Sequence, residues 1–219
     1  MVCSAAFSAD PPSPYVAVRV DYFRGDPVPA AGTDTTKIGE QRGSGVVVGE
    51  ANSGTWYVLT NAHVIDAGED IKRAEPSVFA AGEWQKGRVI AADDESDLAL
   101  VRIRSASALQ AVKVSQAKPP NAAKVATHGL IGGRTYCLRP TELRHALPLA
   151  DGALAWAPQR FYVRTTFRSG ESGGAVTFED RLVGLIYGND PAAGWGLVVD
   201  HASIVRFLKP FLTEAASGG

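Results

Sequence analysis

Short runs of apolar and β-branched residues, separated by turn residues, extend along most of the chain from Tyr15. The run YVAVRVDYF alternates apolar and polar positions, and TWYVLT, DLALVRI, RFYVRTTF, RLVGLIYG and WGLVVD are rich in Val, Ile, Leu, Tyr and Thr. Gly, Pro, Asn and Asp lie between these runs, as they do between β-strands. Many short strands with little helix predict an all-β fold, either a sandwich or a barrel.

The last apolar segment, HASIVRFLKPFL, has a helical period instead. Ile204, Val205, Leu208, Phe211 and Leu212 recur at the spacing of one helix face, which predicts a short helix at about 202–213. Pro210 would kink or shorten that helix.

The stretch around Pro119 and Pro120 lies near the middle of the chain and is the best candidate for a linker. It divides the chain into two all-β halves of similar size. The predicted organisation is a flexible N-terminal tail (1–14), a first β-barrel (15–117), a linker (118–122) and a second β-barrel that carries the helix (123–219).

Composition narrows the class of protein. The chain has 219 residues, of which 45% are hydrophobic and 21% charged, as is typical of a soluble globular protein. The net charge of −1 gives no broad electrostatic footprint for nucleic acid, so none is expected as a partner. No apolar run approaches the roughly 18 residues of a membrane span, so the sequence predicts no membrane-spanning helix.

The N-terminus and the cysteines leave the compartment open. The segment MVCSAAFSADPPSP is either a trimmed export signal or a flexible tail. Its end resembles that of a signal peptide, but it lacks the basic region and the full apolar run that such a signal has. Cys3 and Cys137 could pair in an oxidising compartment, or both could be free thiols. These features slightly favour an extracytoplasmic location, periplasmic or secreted, over a cytoplasmic one.

Three polar residues stand out because of their surroundings. Ser172 lies among glycines in GESGG, which suits either a plain turn or an exposed nucleophile. His63 follows a strong strand in YVLTNAHVI, where it is either a surface residue or a base. Asp97 directly precedes the apolar run LALV, where a carboxylate needs a partner such as a histidine N–H.

Together these residues have the order His, Asp, Ser, which is the order of the chymotrypsin constellation. A serine hydroxyl needs an imidazole to accept its proton, and the imidazole needs a carboxylate to hold its tautomer. With the linker after Asp97, His63 and Asp97 belong to the first barrel and Ser172 to the second. The predicted site therefore lies in the cleft between the barrels.

At this point the sequence resembles a known family. TNAHV, SDLALV and GESGGA look like the three signature segments of trypsin-like serine proteases. RGSGVVV and DDESDLALV are similar to segments of the protease domain of bacterial HtrA/Deg-type enzymes. The resemblance implies an all-β fold of two packed six-stranded antiparallel Greek-key barrels, chymotrypsin-like, with a short C-terminal helix.

The resemblance also implies a role for each residue. Ser172 is expected as the nucleophile, His63 as the general base and then acid, and Asp97 as the carboxylate that orients His63. The N–H groups of Gly170 and Ser172 are expected to form the oxyanion hole. No cofactor and no metal are implied. The expected substrate-binding residues are Thr166, Phe167, Ile186, Tyr187, Gly188 and Asn189.

Neither Thr166 nor Phe167 is acidic, so the family's pocket would here accept a small or medium aliphatic residue on the acyl side of the cut bond. Phe167 would either project into the pocket and make it shallow or belong to the core of the second barrel. Asp190 could still attract a basic residue.

The sequence also departs from the family. Animal zymogens pair a freed N-terminus with an aspartate just before the serine, where this chain has Glu171 and no IVGG-like cleavage site. No PDZ domain is expected after the helix, and the THGLIGGRTYCLRP segment differs from the usual loop. The expected function is a serine endopeptidase acting on protein or peptide substrates, with a non-cleaving or conditionally inactive scaffold module as the alternative. The oligomeric state does not follow from the sequence.

Overall fold

The computed structural model describes residues 2–5, 13–23, 37–66, 68, 71, 73–148, 154–155, 159–190 and 193–212. Within these ranges no helix is long and apolar enough to span a membrane. The elements in chain order are β1 Val2–Ala5, β2 Tyr15–Phe23, β3 Lys37–Asn52, β4 Thr55–Thr60, α1 Ala62–Ile65, β5 Arg73–Ala80, β6 Glu83–Asp93, β7 Leu98–Arg104, β8 Lys124–Ile131, β9 Thr135–Arg144, β10 Leu147–Pro148, β11 Leu154–Ala155, β12 Arg160–Val163, β13 Ala175–Phe178, β14 Arg181–Asp190, β15 Trp195–Val199 and α2 His201–Leu212.

The first barrel is a closed antiparallel sheet in the order β2-β3-β4-β7-β6-β5. Strand β4 is central to this barrel, because all six of its residues are buried. Trp56 and Val58 point into the barrel core, whereas Tyr57 and Leu59 point outward into a second core shared with the other barrel. Alternate side chains of β4 therefore pack into two different hydrophobic cores.

The second barrel has the order β9-β12-β15-β14-β13-β8, and pairing between β8 and β9 closes it. The expected pair of six-stranded antiparallel barrels is thereby confirmed. Strand β1 lies beside β9, so residues 2–5 form a strand where a flexible tail was expected. Cys3 is the register partner of Cys137, and Cys137 is disulfide-bonded. A strand of four residues has too short a pattern to be recognised from sequence. Most of the rest of the expected tail, residues 6–12, lies outside the described residues.

The two barrels and the C-terminal helix share one apolar core. It contains Val46, Val48, Tyr57, Leu59, Leu98 and Leu100 of the first barrel, Ala175, Leu182, Leu185 and Val199 of the second, and Ile204 and Leu208 of α2. The helix begins where it does because the Asp200 carboxylate accepts a hydrogen bond from the N–H of Ser203 (2.8 Å), as an N-cap does. The predicted short C-terminal helix is therefore confirmed, and it packs against both barrels.

A buried histidine joins the start of the first barrel to the second. The His128 ring stacks on Tyr15 with ring centroids 4.0 Å apart. Its Nδ1 lies 2.7 Å from the Tyr136 hydroxyl, and its Nε2 lies 2.9 Å from the Thr177 hydroxyl. Burial lowers the pKa of His128 from 6.5 to about 4, so the ring is neutral at ordinary pH.

Candidate active site

Strand pairing explains why His63 and Asp97 meet although they are far apart in sequence. Strands β4 and β7 are antiparallel, with Thr60 opposite Ala99. The residues that follow β4 and those that precede β7 therefore emerge at the same edge of the first barrel. His63 lies in the short helix α1 just after β4, and Asp97 lies immediately before β7.

Asp97 holds His63 through two hydrogen bonds. One carboxylate oxygen accepts from the backbone N–H of His63 (2.8 Å), and the other lies 2.8 Å from the ring Nδ1. Asn61 donates to the carbonyl of Asp97 (2.9 Å) and so fixes the carboxylate's own backbone. The Asp97 side chain is only 10% exposed and that of His63 is 41% exposed. The imidazole is thus held in one orientation while its Nε2 edge stays open to the cleft.

Ser172 lies in the loop between β12 and β13, and two of its neighbours must be glycines. Gly170 has φ +91° and Gly173 has φ +84°, a region that side chains rarely adopt. A Cβ on Gly170 would lie 2.6 Å from the amide nitrogens of both Gly132 and Gly133. A Cβ on Gly173 would clash with the carbonyl oxygen of Ser44 in the first barrel. The glycines therefore allow close approach of the β8–β9 turn and of strand β3.

Two amide groups of the same loop, those of Gly170 and Ser172, belong to residues that line the cavity between the barrels. The Ser169 carbonyl accepts a hydrogen bond from Gly132 N–H (2.8 Å), which turns the peptide so that the N–H of Gly170 points the opposite way. Within the described part of the chain, neither the Gly170 nor the Ser172 N–H donates to a protein acceptor. Two free, preorganised donors of this kind can bind a developing oxyanion.

The Ser172 hydroxyl donates to the carbonyl of Tyr187 at 3.2 Å, and no hydrogen bond joins it to His63. Both side chains nevertheless line one open cavity of about 520 Å³. The hydroxyl must therefore give up the Tyr187 carbonyl before it can donate its proton to the imidazole.

That cavity has a polar and charged wall on the side of strand β3. Arg42 and Lys37 each lie 2.7 Å from the Glu40 carboxylate. These hydrogen bonds, that from Lys37 first, lower the pKa of Glu40 to about 2, so it remains ionised. The cavity is lined by Glu40, Gln41, Arg42, His63, Val64, Gly132, Ser169, Gly170 and Ser172.

The opposite side of Ser172 is formed by β14. The Tyr187 ring meets the His63 ring edge-on with centroids 5.9 Å apart, and the Arg160 guanidinium lies over the tyrosine ring. The Asn189 amide accepts from Phe167 N–H (2.7 Å) and donates to Phe167 C=O (2.8 Å). One side chain thereby bridges the two segments that were expected to form the substrate pocket.

A buried ion pair lies directly behind the loop that carries Ser172, residues 164–174 between β12 and β13. Glu171 is fully buried, and both its carboxylate oxygens accept hydrogen bonds from Arg139 of β9. One oxygen also accepts from the N–H of Arg168 (2.7 Å). The carboxylate before the serine thus has an internal partner, in the place where animal zymogens use a freed terminus.

The sequence-predicted residues fall into four groups. His63, Asp97, Gly170 and Ser172 come together at the cleft. Tyr187, Gly188 and Asn189 follow one another along the neighbouring strand. The Phe167 ring packs in the core of the second barrel, which is the alternative interpretation, and the Ile186 side chain lies there too. Thr166 is exposed just ahead of Phe167.

Sequence reasoning did not identify two residues that contact the loop of Ser172, namely Ser44 and Arg139. Arg139 carried a usable signal, because it shares the inward period of β9 with Cys137, two residues before it. A charged residue at an inward strand position requires a buried partner. Ser44 carried no comparable signal, since serine between glycines suits many turns.

Comparisons with known proteins agree with this fold. A family model described as a trypsin-like peptidase domain matches residues 43–185. The active form of the Rv3671c protease from M. tuberculosis superposes with a TM-score of 0.66 at 19% identity, covering 90% of this chain and 81% of that one. The HtrA-type protease AlgW with a decapeptide gives 0.66 at 17% identity, covering 91% of this chain and 64% of that one. No curated protein sequence matches the chain.

Proposed function

Because the chain belongs to the trypsin-like peptidase family, we propose that it is a serine endopeptidase that cuts protein or peptide substrates through an acyl-enzyme on Ser172. The observation that carries the proposal is the two-point hold of Asp97 on His63 at the edge of a cavity that Ser172 also lines. A histidine held in this way has one defined tautomer, with Nδ1 donating to the carboxylate and Nε2 free to accept a proton.

In the proposed reaction the Ser172 hydroxyl first turns from the Tyr187 carbonyl to His63 Nε2. It then attacks the substrate carbonyl carbon while its proton passes to the imidazole. The C–N bond breaks as the imidazolium returns the proton to the leaving amine, which leaves an ester on Ser172. Water repeats the sequence, giving its proton to His63 and its oxygen to the acyl carbon, and the freed serine recovers the proton.

The N–H groups of Gly170 and Ser172 are proposed to stabilise the oxyanion of each tetrahedral intermediate. Neither donates to an acceptor among the described residues, and the Gly132–Ser169 hydrogen bond supports the orientation of the first. Loss of one such donor typically lowers kcat by about 100- to 1,000-fold. Because Asp97 keeps the imidazolium paired with a carboxylate, the charge that forms during proton transfer also has a partner.

The proposed preference on the acyl side is for a small or medium aliphatic residue. The Asn189 bridge to Phe167 spans the gap between the two pocket segments and leaves limited width there. Asp190 accepts from Ala193 N–H in its own turn (3.1 Å), which gives that carboxylate a structural role. These contacts favour aliphatic over basic side chains.

A second candidate function is a scaffold module that does not cut, or an enzyme that rests inactive. The hydrogen bond from Ser172 to Tyr187 O favours a resting form, because the hydroxyl is engaged away from His63. A trigger would then be needed to release it.

A fluorophosphonate probe, which reacts with an activated serine, separates these functions. We expect stoichiometric labelling of the purified protein and cleavage of an unstructured protein substrate, both lost in Ser172→Ala and in His63→Ala. Labelling only when a peptide ligand is added would indicate the resting enzyme. An absence of labelling and cleavage under every condition would refute the peptidase assignment and favour the scaffold.

An extracytoplasmic location is also proposed. Its support is the disulfide at Cys137, since disulfides persist mainly in oxidising compartments. Alkylation of the protein as extracted from its native cells should find no free thiol, and two free thiols would contradict the proposal.

A further inference from the structure

Ser44 of strand β3 is a fully buried serine that bonds to both barrels. Its backbone N–H donates to the Ser172 carbonyl (2.8 Å), and its hydroxyl donates to the Gly170 carbonyl (2.8 Å). The same hydroxyl oxygen accepts from the N–H of Leu130 on β8 (2.8 Å). A first-barrel residue therefore contacts the nucleophile loop at two of its carbonyl groups.

The direction of these hydrogen bonds is fixed by chemistry. The Leu130 N–H can only donate, so the Ser44 oxygen accepts there. The single hydroxyl proton is therefore available to the Gly170 carbonyl, which can only accept. No alternative arrangement satisfies all three groups at this buried position.

Gly170 has more backbone freedom than a residue with a side chain, since glycine tolerates both signs of φ. Its preceding peptide plane is held by the Gly132–Ser169 hydrogen bond. Its following peptide plane is held at the carbonyl by the Ser44 hydroxyl and at the amide by the hydrogen bond from Glu171 N–H to the Arg168 carbonyl (3.1 Å). Because peptide units are planar, these contacts together restrict both dihedrals of Gly170 and with them the direction of its N–H, and Ser44 supplies the one that comes from the opposite barrel.

We infer that Ser44 is a positioning residue that keeps the oxyanion hole formed by orienting Gly170 from the opposite barrel. The inference rests on the proposed function, since it assigns Ser44 a part in the same site. Without the hydroxyl, the Gly170 carbonyl and the Leu130 N–H lose their partners, and the peptide after Gly170 keeps its hydrogen bond to the Arg168 carbonyl but loses its restraint from the opposite barrel. The N–H that should meet the oxyanion is then aimed correctly for only a fraction of the time.

Ser44→Ala tests this, with Ser105→Ala as the matched control. Ser105 is also buried in the first barrel, and its hydroxyl likewise donates to a backbone carbonyl and accepts from a backbone N–H, both of Ser107. It follows the far end of β7, about 25 Å along the strand from Asp97 at roughly 3.3 Å per residue. Both variants lose one buried hydroxyl, and only Ser44→Ala affects the loop.

The expected result for Ser44→Ala is a fall in kcat and in fluorophosphonate labelling rate of about 10- to 100-fold with KM changed less than about twofold, since a loosened donor is a milder loss than a deleted one. Ser105→Ala should keep the parent kcat. Ser44→Cys, which retains a weaker donor, should fall between the parent and Ser44→Ala, and it also serves if Ser44→Ala does not fold.

Hydrogen–deuterium exchange of the 168–174 segment gives a readout that does not depend on activity. Faster exchange in Ser44→Ala, with parent-like exchange in Ser105→Ala, supports the inference even if the parent proves unreactive, an outcome that would overturn only the proposed function. Parent-like exchange of this segment overturns the inference, as does an unchanged kcat in an active Ser44→Ala enzyme.

Discussion

The ion pair behind the nucleophile loop predicts a large stability loss when its cation is removed. In Arg139→Met the side chain keeps a similar length but cannot pair with Glu171, which is fully buried. A Cβ on Gly129 would lie 2.9 Å from the Glu171 carboxylate, so the carboxylate is closely packed on that side. Breaking a buried pair by removing one partner typically costs about 3–5 kcal/mol. That loss is a large part of the roughly 5–15 kcal/mol that stabilises most domains.

Urea unfolding followed by tryptophan fluorescence measures this loss. Arg144→Met is the matched control, because Arg144 lies on the same strand and pairs with Glu142, but its side chain is 39% exposed. An exposed pair contributes about 0–1 kcal/mol, so this variant should unfold close to the parent. The double variant Arg139→Met/Glu171→Gln should recover much of the loss, since no uncompensated charge remains. If Arg139→Met unfolds at the same urea concentration as Arg144→Met, the reasoning from burial is wrong.

Four further predictions follow from the site and the fold. Peptidase activity should fall at acidic pH, because a protonated His63 cannot accept the Ser172 proton, and a maximum near pH 4 in a pH–rate profile would contradict the assignment. Because folding lowers the pKa of His128 from 6.5 to about 4, the His128 ring is protonated in the unfolded chain but still neutral in the folded one at pH values between these two. Stability should therefore decline by up to about 3 kcal/mol between pH 6.5 and 4 in urea unfolding, and a similar decline in His128→Gln would refute the attribution. Asn189→Ala should widen the pocket and raise kcat/KM for Leu relative to Ala at the acyl position by about 10-fold or more, as a peptide library can test, whereas an unchanged profile would exclude the Asn189 bridge as a determinant. EDTA should leave turnover unchanged, and inhibition reversed by a divalent cation would show that a metal takes part.

That His63, Asp97 and the loop of Ser172 would meet at one cleft was predictable from sequence, because each lies in a short segment with a recognisable chemical pattern. GESGG combines a hydroxyl with glycines, and Asp97 is a carboxylate at the lip of an apolar strand. The helix at about 202–213 was also predictable, since its apolar period was clear. The Asp200 cap then set its first residue at His201.

Other features depend on contacts that no local pattern encodes. The hydrogen-bonded ion pair of Arg139 and Glu171 joins β9 to a loop that is distant in sequence. The hydrogen bond from Ser44 to the Gly170 carbonyl connects the two barrels. Whether Phe167 faced the pocket or the core was decided by Gly196, where the absence of a side chain leaves space for the ring. Strand β1 was missed because four residues cannot reveal a period, although Cys3 lies opposite Cys137.

The core shared by the barrels and α2 bears on what kind of client the cleft can accept. Since Leu59 and Leu100 of one barrel pack with Leu185 of the other and with Leu208 of the helix, one packed core joins the two walls of the cleft. Opening the cleft around a folded protein would disrupt this core, so we expect the client to supply an extended segment of its own. The rate at which a folded client is cleaved would then depend on how often that segment unfolds locally. The measured cleavage rate would therefore report the free energy of local unfolding of the client.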